Sequence, residues 1–193
     1  MIEPILDNFR NIDPDLNFFS ETTEDSCKYY TLNEFPAPLW RDYFCLLNYN
    51  IRSFFANSES IESILDCTQV AYNSIILTET WNKQSSLDLC KIDGYSGFHS
   101  CRSGNSRSGG VSVFCLDRYA SSICENLTRN DNIIESCGVT FWVNNVRTIV
   151  IGIYRPVSGN ILDFVAALES LISTIDLDRT TVILAGDFKF ENH

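Results

Sequence analysis

The chain has 193 residues, 45% of them hydrophobic, and a formal charge of −11. That size and apolar content suit one globular domain with a sizeable core. No run approaches the roughly eighteen apolar residues of a membrane span, and the N-terminal region is acidic rather than basic-then-apolar, which argues against a secretion signal.

Residues 1–40 carry eight acids against Arg10 and Lys28, a net of −6, so the remaining residues carry −5. This stretch mixes acids with Asn, Ser and Thr and ends in Pro36-Ala37-Pro38, and it reads as a poorly ordered leader. One domain is expected over residues 41–193. Short apolar runs rich in β-branched and aromatic residues predict strands at Tyr43 to Asn50, Ser74 to Thr80, Gly110 to Leu116, Glu135 to Val143, Thr148 to Tyr154 and Thr181 to Asp187. Between the first two, Ile61, Ile64, Leu65 and Cys67 form the apolar stripe of a helix from about Ser58 to Gln69. Asn144-Asn145, a pair tolerant of positive φ, predicts a tight hairpin between the fourth and fifth strands.

A second helix begins after Asn160 as N-cap, with Asp163 in its first turn and Ile161, Phe164, Val165, Leu168, Leu171, Ile172 and Ile175 at near-helical spacing. Strands joined by hairpins in some places and by helices in others imply mixed sheets. Two such sheets packed face to face, with helices outside, make an α+β fold, a four-layer α/β/β/α sandwich. Trp81 and Trp142 are read as core or sheet-face packing.

The eight cysteines are scattered, with no C-x-x-C pair of the kind that zinc or redox centres use. They are read as free thiols in an intracellular protein, nuclear or cytoplasmic and not secreted.

Polar side chains close several of the apolar strands. Asn50 ends Leu46-Leu47-Asn48-Tyr49-Asn50, and Glu79 follows Ile75-Ile76-Leu77-Thr78. Tyr154 closes Ile149-Val150-Ile151-Gly152-Ile153, and Asp187 closes Val182-Ile183-Leu184-Ala185-Gly186. Should those ends converge, an amide, a phenol and two carboxylates meet, a set of hard oxygen donors that suits Mg²⁺. Taken singly, each is better read as structural, Asn50 as the start of a turn, Glu79 as an exposed strand end and Asp187 as a cap on the next loop.

Order and spacing add to this. The motifs Tyr49-Asn50-Ile51-Arg52-Ser53-Phe54, Leu77-Thr78-Glu79-Thr80-Trp81, Gly94-Tyr95 with Phe98-His99 and Arg102, Gly109-Gly110-Val111-Ser112-Val113-Phe114, Ile153-Tyr154-Arg155-Pro156 and Leu184-Ala185-Gly186-Asp187-Phe188 cover about residues 42 to 190. Together they resemble the apurinic-like endonuclease domain of non-LTR (LINE/jockey-type) retrotransposons, within the endonuclease/exonuclease/phosphatase superfamily.

The resemblance implies a DNA-nicking phosphodiesterase using Mg²⁺ or Mn²⁺, with a reverse transcriptase domain in the parent element. Glu79 would be the main metal carboxylate and Asn50 would support the metal or its water. Tyr154 would contact the scissile phosphate, and Asp187 would orient or deprotonate the attacking water. Lys189, Arg102 and Arg155 are candidates for contact with DNA, whose binding should be weak for so acidic a chain.

Two departures stand against full activity. Lys189 occupies the position of an Asn in the family, and a cation there repels a neighbouring metal ion. The family's closing Ser-Asp-His segment lies beyond residue 193, so the sandwich is expected to be incomplete at that end. Neither His99 nor His193 is expected to replace its His. The alternative reading is therefore a non-catalytic remnant that serves as a nucleic-acid or protein interaction module. Hydrolases of sphingomyelin, inositol phosphates or mRNA tails fit less well with Tyr154-Arg155-Pro156 and Phe98-His99.

Overall fold

The structure, a computed structural model, describes residues 43–102 and 108–188. The leader assigned to residues 1–40, and Lys189 and His193, lie outside the described residues.

Strands β1 (Leu46–Asn50), β2 (Ser74–Thr78), β3 (Tyr95–Ser100) and β4 (Val111–Leu116) form a first sheet in the order β1-β2-β4-β3. Helix α1 (Phe54–Thr68) carries the chain from β1 to β2, and such a crossover makes that pair parallel. The second sheet runs β5-β7-β8-β9, with β6 beside β7. Its strands are β5 (Ser122–Ile123), β6 (Arg129–Asn130), β7 (Glu135–Val143), β8 (Val146–Tyr154) and β9 (Thr180–Asp187). Here β7 and β8 form the hairpin, with φ of 49° at Asn144 and 64° at Asn145, while α2 (Ile161–Ile172) carries the chain to β9, parallel to β8.

Alternation along each strand sorts side chains into layers. Ile76, Val111, Val113 and Cys115 of the first sheet pack against Cys137, Val139, Phe141 and Val150 of the second. The outer residues Ile75, Leu77 and Phe114 pack against Phe54 and Ile61 of α1. Beyond the second sheet, Ile149, Ile151 and Ile153 are buried, as are Phe164, Val165, Leu168 and Leu171 of α2. Phe164 meets the ring of Phe188 edge to face at 6.2 Å. The result is the expected four-layer sandwich of two mixed sheets. Gly152 marks how closely the sheets approach, since a Cβ there would stand 2.8 Å from Val111 and 2.9 Å from Ile76.

Several local readings differ from the structure. β3 was not among the expected strands, because Gly97 and two serines within it dilute its apolar signal. Helix α1 starts at Phe54 and kinks at Asn57 (φ −133°), so its regular part does begin near Ser58. Cys67 is exposed and Thr68 takes the buried place. Ile161 stands 39% exposed, and Ile175 lies past the end of α2. Trp142 is 61% exposed: Phe141 takes the inner face of β7, which turns Trp142 to the other side at the hairpin end. Asn160 caps α2 as expected, its Oδ1 accepting from Leu162 N at 2.8 Å.

Seven cysteines are described, all free. Burial pushes the Cys90 and Cys115 thiols up to about 12. No helix among the described residues is long and apolar enough to cross a membrane.

Candidate active site

β1 and β9, at the edges of their sheets, lie across the sandwich from one another, and their last residues meet. Asn50 Nδ2 donates to Asp187 Oδ2 at 2.7 Å and to Glu79 Oε1 at 3.2 Å. One amide nitrogen thus bridges two carboxylates from different sheets. Asn48, the same residue type two positions earlier on the same face, donates instead to the Gly186 carbonyl at 3.2 Å and so ties the two edge strands together.

Register places the rest. Glu135, Tyr154 and Asp187 are direct neighbours across β7, β8 and β9, so their side chains share the inner face at one end of the sheet. The Tyr154 ring is 4% exposed and packs into the core between the sheets. Arg155 donates its backbone N–H to the Asp187 carbonyl at 2.9 Å and its Nη2 to the Gly159 carbonyl at 3.2 Å. The structure therefore joins Asn50, Glu79 and Asp187 by hydrogen bonds and sets Tyr154 beside Asp187.

The first sheet builds its half of the site from loops. Arg52, Ser53, Glu79 and Trp81 all have positive φ (47°, 92°, 53° and 54°), a conformation disfavoured outside glycine and asparagine. Such strain persists only where surrounding contacts over-determine the backbone. Those contacts are present: Ile51 N donates to Thr78 O, Ser53 N to Glu79 O, and Phe54 N to Thr80 O, at 2.8–3.0 Å. Asn57 completes the loop by donating Nδ2 to the Ile51 and Arg52 carbonyls at 3.0 and 2.9 Å. A cavity of about 440 Å³ opens there, lined by Tyr49, Asn50, Ile51, Arg52, Asn57 and Ser60.

Arg102 is occupied within the protein. Its Nε donates to Glu135 Oε1 at 2.6 Å, its Nη2 pairs with the same oxygen, and its Nη1 donates to Ser108 Oγ at 2.9 Å. Glu135 itself is fully buried, and burial raises its carboxyl against the lowering effects of Gly110 N–H and Arg102. Sequence reasoning missed this residue. An acid that opens a strand reads as a solvated strand end, and only the fold brings Arg102 to it.

His99 is placed locally, its Nδ1 2.8 Å from Ser112 Oγ and its ring edge-on to Phe114. Burial lowers its pKa to about 4, so it is a neutral packing residue at physiological pH.

Whether the residues suit a divalent cation can be tested on Asn50. Its Oδ1 is buried and has no hydrogen-bond partner among the described residues, although it sits beside two carboxylates. Buried polar atoms are almost always satisfied, so an orphaned carbonyl oxygen in a set of hard donors fits such an ion. Among the described residues no three His, Cys, Asp or Glu side chains cluster as a metal site, and the carboxylates that Asn50 hydrogen-bonds are Glu79 and Asp187.

No family model and no curated protein matches the chain. Solved structures do. The endonuclease domain of TRAS1, a telomere-specific non-LTR retrotransposon, superposes with a TM-score of 0.56 and 15% identity over 76% of this chain and 59% of that one. D. rerio TDP2 complexed with single-strand DNA product gives 0.55 at 12% identity, over 76% and 61%. AP endonuclease LMAP from Leishmania major gives 0.54 at 12%, over 74% and 54%. The chain thus spans 54–61% of the length of these three proteins. The fold is the one these structures share, that of the endonuclease/exonuclease/phosphatase proteins.

Proposed function

We propose that the chain is a DNA endonuclease-like domain that hydrolyses a phosphodiester at the Asn50–Glu79–Asp187 rim. The observation that carries this reading is the bridging amide of Asn50 between the two carboxylates. TRAS1 is an endonuclease domain, and TDP2 was solved with a DNA product, which favours DNA as substrate.

Glu79 with Asn50 would hold a Mg²⁺ or Mn²⁺ ion, which when bound neutralises charge on the phosphodiester. Asp187, oriented by the Asn50 N–H, accepts a proton from a water aligned with the scissile bond. That water's oxygen bonds to phosphorus, the P–O3′ bond breaks, and the leaving oxygen takes a proton from solvent to become a 3′-hydroxyl. The Tyr154 hydroxyl donates to a phosphate oxygen and steadies the growing charge. Arg155, whose backbone N–H bonds the Asp187 carbonyl, and Lys189, two positions after Asp187 in sequence, supply cationic contacts to the strand, while Arg102 is held by Glu135.

The test is conversion of supercoiled plasmid to open circles with Mg²⁺, comparing wild type and Glu79→Ala. Faster conversion by wild type supports the reading, and equal conversion ends the enzymatic claim. A second reading, a non-catalytic interaction module, is favoured by the charge of −11, which opposes phosphate binding. Equal conversion together with retained, salt-insensitive binding to a partner other than DNA would point there.

A further inference from the structure

We propose that Glu135 is a positioning residue that holds the Glu79 turn in place from the opposite sheet. The inference rests on reading Glu79 as a cation ligand. The path is short and made of hydrogen bonds. Glu135, at the start of β7 and wholly buried, accepts the Gly110 N–H on Oε2 and the Arg102 guanidinium on Oε1. Gly109 and Gly110, both at positive φ, then turn their carbonyls to the residues that follow Glu79. Gly110 O accepts from Thr80 N at 3.2 Å and Gly109 O from Trp81 N at 3.0 Å.

Space enforces the same arrangement. A Cβ on Gly110 would stand 2.6 Å from Thr80 Oγ1, and one on Gly109 would collide with the Glu135 carboxylate. The turn therefore fits between Glu135 and Thr80 only as glycine. In the facing segment Glu79, like Trp81, has a positive φ, a conformation that needs contacts to hold it. Its conformation follows from Thr80 and Trp81 being fixed on one side and Ser53 accepted by its carbonyl on the other. The acceptor that anchors one side belongs to the second sheet. Arg102 compensates the buried charge.

A pair of double variants separates this role from plain packing. Glu135→Leu/Arg102→Met removes both charges, leaves no buried ion unpaired, and takes away the acceptor for Gly110. Glu135→Gln/Arg102→Met removes the same charges but keeps an oxygen for that N–H. Hydrogen exchange read residue by residue, with Mn²⁺ titration followed by electron paramagnetic resonance, supplies the readouts.

In the leucine variant the Thr80 and Trp81 amides should exchange at least about tenfold faster while Val113 and Val150 stay protected. Mn²⁺ affinity should fall about tenfold to a hundredfold, as when a group supporting a metal ligand is lost. The glutamine variant should stay within about threefold of wild type in both. Unchanged exchange at Thr80 and Trp81 in the leucine variant overturns the proposal, as does an equal effect in the two variants. If the leucine variant does not fold, Glu135→Asp replaces it, since its carboxylate falls one methylene short of Gly110 and the same exchange pattern decides. Wild type that binds Mn²⁺ no better than Glu79→Gln sinks the cation reading, and the exchange result then judges the positioning role alone.

Discussion

The two sheets reach the same rim by different means. The second sheet offers Tyr154 and Asp187 on regular strands, in direct register, so their placement follows from strand pairing. The first offers Asn50 and Glu79 where β1 and β2 give way to loops with four non-glycine residues at positive φ. One half of the site is fixed by register and the other by a web of loop hydrogen bonds, which makes the first half the more sensitive to substitutions outside it.

The largest expected effect breaks that contrast chemically. Glu79→Gln should lower plasmid nicking about a hundredfold to a thousandfold. Asp187→Asn should do the same to nicking yet bind Mn²⁺ within a few-fold of wild type, whereas Glu79→Gln should not. Equal loss of Mn²⁺ in both would erase the division of labour between the sheets. Next comes the contact between them. Gly152→Val forces side chain into Val111 and Ile76 and should destabilise the chain by about 1–3 kcal/mol, read as the urea midpoint.

Smaller effects sharpen the comparison away from the rim. Asn160→Ala removes the α2 cap and should cost about 1 kcal/mol, with nicking unchanged relative to folded protein. The smallest effect tests the outer face of the first sheet. His99 has a folded pKa of about 4, against 6.5 for an ordinary His. Between those values the unfolded chain binds the proton and the folded chain does not, so stability is full above pH 6.5 and falls as pH drops toward 4. His99→Gln should flatten that acid limb by up to about one proton per molecule, measured from denaturation midpoints across pH.

Much of this was legible in the residues. β7 and β8 announce themselves as long β-branched runs around Asn144-Asn145, and Asn160 with Asp163 marks the start of α2. Asn50, Glu79, Tyr154 and Asp187 stood out because polar groups close apolar strands. β3 stayed hidden, since Gly97 is accommodated only by the rings of Phe114 and His99 folding over it, a tertiary circumstance. β5 and β6, of two residues each, have no periodicity to read. Glu135 was invisible as a functional candidate because Arg102 lies 33 positions away in sequence, and pairing across that distance is set by the fold. Arg102 looked free for the same reason.

The buried thiols give the protein a built-in gauge of its own opening. Cys67 is exposed and should react with iodoacetamide without any conformational change. Cys90 belongs to the layer under α1, and Cys115 and Cys137 to the seam between the sheets. With their thiolates suppressed by burial, alkylation of each waits for its own layer to part, so labelling rates rank which layer separates first.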